Sequence, residues 1–339
     1  MADLILIRSS SLNPYENLGL EEYLTTHTKP CQCILYLWQN APTVVIGRNQ
    51  NCWAECRLDT MKEDGVLLAR RLSGGGAVYH DLGNVNFTFM ARTPLYSVER
   101  HLDVILTALS YLGIRGEKTG RNDLTVQGKK FSGNAFYRQG EYCCHHGTLL
   151  LDTDSSAMNR YLAVSKEKLA SKGVASVPAR VINLKTLSPG LTVGELFHHL
   201  ARAFGQVYGS PPRVLEESSL PGEQIRPLTE RFSSPQWLYG RKIPFHCRAS
   251  RRFLWGNAEL LFSINEGIVR QALVYSDAMD QEWIGRLAPC FEGCPWEYSV
   301  LLKALGRLPI RKDVQRQMAS DLALLLESCF SSTEDIQNE

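Results

Sequence analysis

The chain has 339 residues, 44% hydrophobic and 21% charged, with a formal net charge of +2. This is the balance of an ordinary globular protein, and the length suits two domains. Near-neutral charge argues against bulk attraction to nucleic acid or a membrane surface, and no stretch approaches the roughly 20 apolar residues of a membrane helix.

Met1 to Arg8 carries a short apolar run preceded by Asp3. It reads as a first β-strand and not as a signal or transit peptide, so a cytoplasmic chain is expected. Asn13-Pro14 supplies a cap and a first-turn proline for a helix in which Leu20, Tyr23, Leu24 and His27 recur at helical spacing. Strands are expected at Cys33–Trp38, Thr43–Gly47 and Val66–Arg71, with a short helix over Arg57–Asp64 between the last two. Asn84–Met90 is the next strand. Ser97–Leu112 is the clearest helix, with Leu102, Ile105, Leu106, Leu109 and Leu112 on one face and Gly113 closing it.

Asp123–Val126 and Lys130–Tyr137 form a hairpin around Gln127-Gly128, followed by a strand over His145–Leu151 and a helix over Thr192–Tyr208. Ser210-Pro211-Pro212 opens a polar stretch to Pro227 that reads as a linker. Beyond it, strands Ala258–Asn265 and Ile268–Tyr275 flank Glu266-Gly267, and helices follow over Trp296–Leu305 and Val314–Cys329. The fold class is α+β: a mixed β-sheet flanked by helices, then a smaller C-terminal α+β domain. The expected boundaries are 1–215, a linker over 216–240, and 241–339.

Ten cysteines include no C-x-x-C pair, so free thiols packed as small apolar residues are expected. A metal site on Cys52-x-x-x-Cys56 is an outside alternative.

Three segments carry chemistry. Arg70-Arg71-Leu72-Ser73-Gly74-Gly75-Gly76-Ala77-Val78-Tyr79-His80 joins two guanidinium groups to a glycine run whose N–H groups can approach an anion. Strand alternation sends Arg70 and Arg71 to opposite faces. The run fits neither a phosphate-binding G-x-x-x-x-G-K-[ST] loop nor a G-x-G-x-x-G dinucleotide turn, and by itself it reads equally as a glycine-rich hairpin. Asn122-Asp123 precedes a strand and offers oxygen ligands for Mg²⁺, while Lys129-Lys130 begins the next and offers charge for a phosphate, unless the lysines are merely solvated. In Cys143-Cys144-His145-His146, neighbouring residues point to opposite sheet faces, so one histidine should line a pocket and the other pack.

In that order, R-R-x-S-G-G-G-A-V-Y-H-D-x-G-N (Arg70–Asn84), G-R-N-D-L (Gly120–Leu124), K-x-S-G-x-A (Lys130–Ala135) and H-H-G-T-L-L (His145–Leu150) closely resemble the lipoate–protein ligase family. Weaker similarity runs through Tyr161 and Lys168 to Leu184. Trp237-Leu-Tyr-Gly240 resembles the family's accessory domain, which some relatives carry on a separate chain. The resemblance implies a biotin/lipoate ligase catalytic fold. It also implies ATP-dependent formation of lipoyl-adenylate, then transfer of the lipoyl group to a lysine of lipoyl domains, as in 2-oxo acid dehydrogenase acyltransferase subunits and the glycine-cleavage H protein.

By the same resemblance Lys130 is catalytic. Arg71, Gly76, Ala77, Val78, Tyr79 and Lys130 contact ATP. Arg70, Ser73, Gly74, Gly75, His80, Lys130, Ser132 and His146 hold lipoate, with Arg70 as support for Arg71. Asn122 and Asp123 are the Mg²⁺ side. A monomer acting on lipoate, ATP and apo lipoyl domains is expected, without nucleic acid or membrane partners. Alternatives are a transferase of the same fold working through a thioester at Cys143 or Cys144, a transferase using only preformed lipoyl-adenylate, and a non-catalytic lipoyl-binding module.

Overall fold

The computed structural model describes residues 2–119, 122–163 and 181–331. Gly120, Arg121 and Lys168, singled out above, lie outside the described residues. The chain forms two units: residues 1–46, 52–71 and 77–238, and residues 47–51, 72–76 and 239–339.

The first unit is built on an eight-stranded mixed sheet. Its strands in chain order are β1 (Asp3–Arg8), β2 (Gln32–Trp38), β6 (Asn84–Arg92), β7 (Glu117–Thr119), β8 (Asp123–Val126), β9 (Lys129–Gln139), β10 (Tyr142–Leu150) and β11 (Arg213–Val214). The spatial order is β11-β1-β2-β6-β10-β9-β8-β7. The β1 pairings to β2 and β11 are parallel and the remainder antiparallel. A separate three-stranded sheet holds β3 (Thr43–Ile46) between β4 (Leu67–Arg70) and β5 (Val78–His80). The mixed-sheet expectation is met.

Period-2 alternation in β6 assigns its two faces. Val85, Phe87, Phe89 and Ala91 enter the main apolar core with Val104, Ile105 and Leu109 of helix Val98–Ser110 and Leu196, Leu200 and Phe204 of helix Val193–Tyr208. Asn84, Asn86 and Thr88 point the other way, yet they too are buried. That second face is covered by helix Pro14–His27, whose Asn17, Glu21 and Thr25 are buried at four-residue spacing. Both helices over the first face start as their sequences specify. Ser97 caps one, and Thr192 with Glu195 closes a reciprocal capping box on the other.

The segment expected as a linker is ordered. Arg213–Val214 pairs with β1, and helices Gly222–Ser233 and Pro235–Tyr239 follow, the first carrying Pro227 within it and an Arg231–Glu22 ion pair to helix Pro14–His27. Prolines mark breaks in a sequence but are tolerated where packing holds the helix. Strand β10 begins at Tyr142, three residues before the expected start.

In the second unit, β12 (Cys247–Phe253), β13 (Gly256–Asn265) and β14 (Ile268–Ser276) form an antiparallel sheet. Phe262, Leu260 and Trp283 pack there against Leu301, Leu322 and Leu326. Sequence reading misses β12 because it is an edge strand with three arginines and only Ala249 buried, Arg248 and Arg252 being paired with Glu259 and Asp277. No helix of the described residues is long and apolar enough to cross a membrane.

Thr192→Ala removes the side-chain half of the capping box, leaving the Thr192 N–H bond to Glu195, and should cost about 1 kcal/mol, read as a lower urea midpoint without a change in slope.

Candidate active site

The buried polar face is organised around one carboxylate. Glu21 Oε1 accepts from Thr88 Oγ1 (2.7 Å) and pairs with His146 Nδ1 (2.9 Å), and Trp38 Nε1 donates to Thr88 Oγ1 (3.0 Å). Arg71 is buried near this carboxylate, and its Nη1 donates to the Val45 carbonyl. Burial pulls the Arg71 guanidinium down to about 10, while the Glu21 charge opposes that shift. Arg70 takes different partners: its guanidinium donates to the carbonyls of Trp237 and Leu238, and Trp237 Nε1 returns a bond to the Arg70 carbonyl. The two arginines therefore divide as strand alternation requires.

His80 closes a chain whose polarity is fixed by its far end. Tyr36 donates to Asn17 Oδ1, Asn17 Nδ2 donates to Asn40 Oδ1, and Asn40 Nδ2 contacts His80 Nδ1 at 3.1 Å. His80 Nδ1 is then the acceptor, and the neutral ring carries its proton on Nε2. Among the described residues that buried Nε2 has no hydrogen-bond partner. Burial first, then Arg71 and His146, push the His80 pKa down to about 3, so the ring stays neutral at ordinary pH.

Lys130 and Asp123 meet across the β8–β9 hairpin, Nζ to Oδ1 2.7 Å apart. The turn uses Gln127 (φ 51°) and Gly128 (φ 72°), both left-handed. A bulge follows, with Leu124 opposite Ser132 and Thr125 opposite Lys130, so Phe131 is the added residue and is driven into the core. The Lys130 side chain lies back over Gly133: a Cβ there would sit 2.7 Å from Nζ. Asn122 sits beside this pair, its Nδ2 donating to the Asn134 carbonyl. Its amide oxygen and the Asp123 carboxylate are hard donors of the kind Mg²⁺ takes, and two such groups suit a cation shared with phosphates. Ser132 is buried and lies 3.4 Å from Asn134 Nδ2.

Ser73, Gly74, Gly75 and Gly76 group with the second unit, whereas Ala77, Val78 and Tyr79 lie in the first. Within the second unit Gly75 N donates to the Ala278 carbonyl, and a Cβ on Gly74 would fall on that oxygen. The sequence offered these glycines to an anion. Backbone crowding is a further reason for glycine here, and one N–H of the run is engaged by the protein itself.

The paired histidines separate: His146 faces Glu21 and His145 faces His101, 3.2 Å between Nδ1 atoms. All ten cysteines are free thiols. Cys52 and Cys56 pack in an apolar cluster with Met61 and Val66. Cys144 is buried beside Glu21, and burial pushes its thiol well above the ordinary range. Among the described residues, the one group of three His, Cys, Asp or Glu side chains with ligand atoms close enough to share an ion is Glu21, Cys144 and His146.

Residues 13–205 match the family model of the lipoyl protein ligase A/B catalytic domain, and residues 242–326 that of the bacterial lipoate protein ligase C-terminus. The chain belongs to the lipoyl protein ligase A/B family. It is similar to Plasmodium falciparum LipL1, solved in complex with lipoate, at 28% identity and TM-score 0.84, covering 95% of this chain and 99% of that one. It is also similar to the bipartite lipoate protein ligase of Thermoplasma acidophilum, solved with its E2 lipoyl domain: 26% identity, TM-score 0.63, 71% of this chain and 98% of that one. A lipoate-protein ligase A structure bound with ATP shares the fold at 24% identity and TM-score 0.61, over 70% of this chain and 98% of that one.

Within this lipoate ligase-family enzyme, sequence reading overlooked Glu21, Trp38, Asn40 and Thr88. Two signals were available. Asn17, Glu21 and Thr25 form a polar stripe among the buried residues of their helix, and Asn84-x-Asn86-x-Thr88 alternates with the large apolar residues of β6.

His80 and His101 both have pKa values of about 3, against 6.5 when exposed. The unfolded chain binds their protons first as pH falls. The stability they contribute is present above about pH 6.5 and is lost progressively toward pH 3, by roughly 1 kcal/mol per pH unit for each ring. Urea unfolding from pH 7 to 4 should show this slope, and His80→Gln should reduce it by one ring's share while His101 keeps the other.

Proposed function

We propose that this chain joins lipoate to a lysine of a lipoyl domain through lipoyl-adenylate. The lipoate carboxylate attacks the α-phosphorus of ATP and pyrophosphate leaves. The neutral amine of the acceptor lysine then attacks the acyl carbonyl, AMP leaves, and the amine's proton is lost. The observation that carries this reading is the Lys130 ammonium, held over Gly133 by Asp123 and so aimed by backbone geometry.

Bringing a carboxylate to a triphosphate sets two anions against each other, and a fixed ammonium offsets that repulsion most where charge builds at the reacting centre. Arg71 adds a second positive charge. Gly76, Ala77, Val78 and Tyr79 complete the proposed nucleotide wall. Asn122 and Asp123 would hold Mg²⁺, which supplies further charge neutralisation on the phosphates. His80, with its buried Nε2–H donor, is proposed on the acyl side with Ser73, Gly74, Gly75, Ser132 and His146, and Arg70 supports Arg71 through its own bonds at Trp237 and Leu238. A monomeric cytoplasmic enzyme accords with this reading.

The thioester alternative is disfavoured by Cys144, whose deeply buried thiol resists ionisation, since the thiolate is the nucleophile. Cys143→Ser combined with Cys144→Ser should keep the ATP-dependent rate within a few-fold, about what a packing change costs. Loss of nearly all activity in a folded double variant would instead favour the thioester.

Pyrophosphate release from lipoate and ATP, followed by mass gain on a lipoyl domain, tests the whole sequence. Consumption of preformed lipoyl-adenylate without pyrophosphate release from lipoate and ATP would remove the first half. Lys130→Ala should abolish adenylate formation. In Gly133→Ala the flexible lysine head yields in place of the backbone, so thermal stability should stay close to wild type while turnover falls about a hundredfold through misplacement of Nζ. Wild-type turnover in Gly133→Ala would contradict the assigned placement.

A further inference from the structure

His145 lies on the sheet face opposite its neighbour His146, and its ring nitrogens touch neither His146 nor His80. Its Nε2 is 2.8 Å from Asn134 Oδ1, and its Nδ1 is 3.2 Å from His101 Nδ1. The Asn134 amide cannot be reversed: its Nδ2 donates to the Asn122 carbonyl, which only accepts, and it also lies 3.4 Å from Ser132 Oγ. Oδ1 must therefore face His145, and His145 Nε2 must carry a proton. The ring is fully buried and uncharged, so its Nδ1 is a bare acceptor and His101 Nδ1 carries the proton between them.

Asn134 then grips Asn122 three times. Its backbone N–H and its side-chain Nδ2 donate to the Asn122 carbonyl, and its carbonyl accepts from Asn122 Nδ2. Asn122 immediately precedes Asp123, the partner of Lys130, and Asn134 immediately follows Gly133, over which Lys130 lies. One buried amide, oriented from the far side of the sheet, thus ties together both strands of the hairpin that presents the ammonium.

We propose that His145 is a positioning residue for the reaction, acting through the Asn134 amide to fix the Asn122–Asp123 corner and so the place of Lys130 Nζ, with His101 setting its tautomer. This rests on the function proposed above. Without the Nε2–H donor the buried Asn134 Oδ1 loses its partner, and the amide that holds the Asn122 carbonyl is fixed from one end only. The hairpin would keep its backbone pairing yet present Lys130 less sharply. Because the ammonium matters most as charge builds in the transition state, the loss falls on kcat more than on KM.

His145→Phe keeps an aromatic ring against Phe87, Phe89 and Phe136 but removes both nitrogens, while His145→Gln restores one amide donor toward Asn134. In the full chain, with lipoate, ATP and a lipoyl domain, His145→Phe should lower kcat about a hundredfold while KM for lipoate changes by less than about threefold, and His145→Gln should recover most of the loss. Unchanged kcat in His145→Phe, a rise in KM in place of the fall in kcat, or a folded His145→Gln no better than His145→Phe would each overturn the proposal.

If His145→Phe fails to fold, ¹⁵N spectra of histidine-labelled wild-type protein decide. The proposal requires the Nε2–H tautomer at His145 and the Nδ1–H tautomer at His101, and the reverse pair overturns it. A wild-type chain that neither adenylates lipoate nor transfers from lipoyl-adenylate would sink the proposed function itself, which this spectrum does not probe.

Discussion

Burying a carboxylate is the constraint around which the first unit is arranged. Glu21 sits under helix Pro14–His27 with almost no solvent contact. An ionised carboxyl in such a place is tolerable only with donors and a compensating charge. Thr88 and His146 supply the donors from two adjacent strands, Trp38 orients Thr88 from a third, and Arg71 brings the charge. The helix, three strands and the end of β4 are thereby locked in register around one atom. The polar face exists because this carboxylate has to be satisfied, and the apolar face opposite exists because the same strands must also pack.

The Lys130 side is solved differently. There the ammonium is partly exposed, and its direction comes from a bulge, a left-handed turn and a glycine that leaves room for the side chain to fold back. A flexible four-carbon stem is given a defined endpoint by removing alternatives. The two devices complement each other: one charge is fixed by burial and hydrogen bonds, the other by backbone shape.

Much of this was legible beforehand. The Lys130 hairpin, its turn residues, the division of Arg70 from Arg71 and of His145 from His146, and the capped helices all follow from local rules that the chain obeys. The polar face around Glu21 was not read, because Glu21, Thr88 and Trp38 are distant in sequence and each has an innocuous local explanation: a glutamate in a helix, a threonine and a tryptophan in strands. Only the pairing of β6 with β2, under the covering helix, makes them neighbours. Helix Gly222–Ser233 was hidden by Pro227, whose effect on an isolated helix is outweighed by packing against helix Pro14–His27. The Arg-rich β12 has the alternation of an edge, which looks like a loop when no partner strand is in view.

The crowding at Gly74 carries a consequence for how mutational scans of this enzyme are read. Any side chain there meets the Ala278 carbonyl, so alanine, serine and larger residues would all be rejected in a selection, whatever bound at the site. Intolerance at this position would look like the footprint of a substrate while reporting the close passage of two backbones. A backbone-ester substitution at Gly75 separates the two causes: it deletes the N–H now given to Ala278 and adds no bulk.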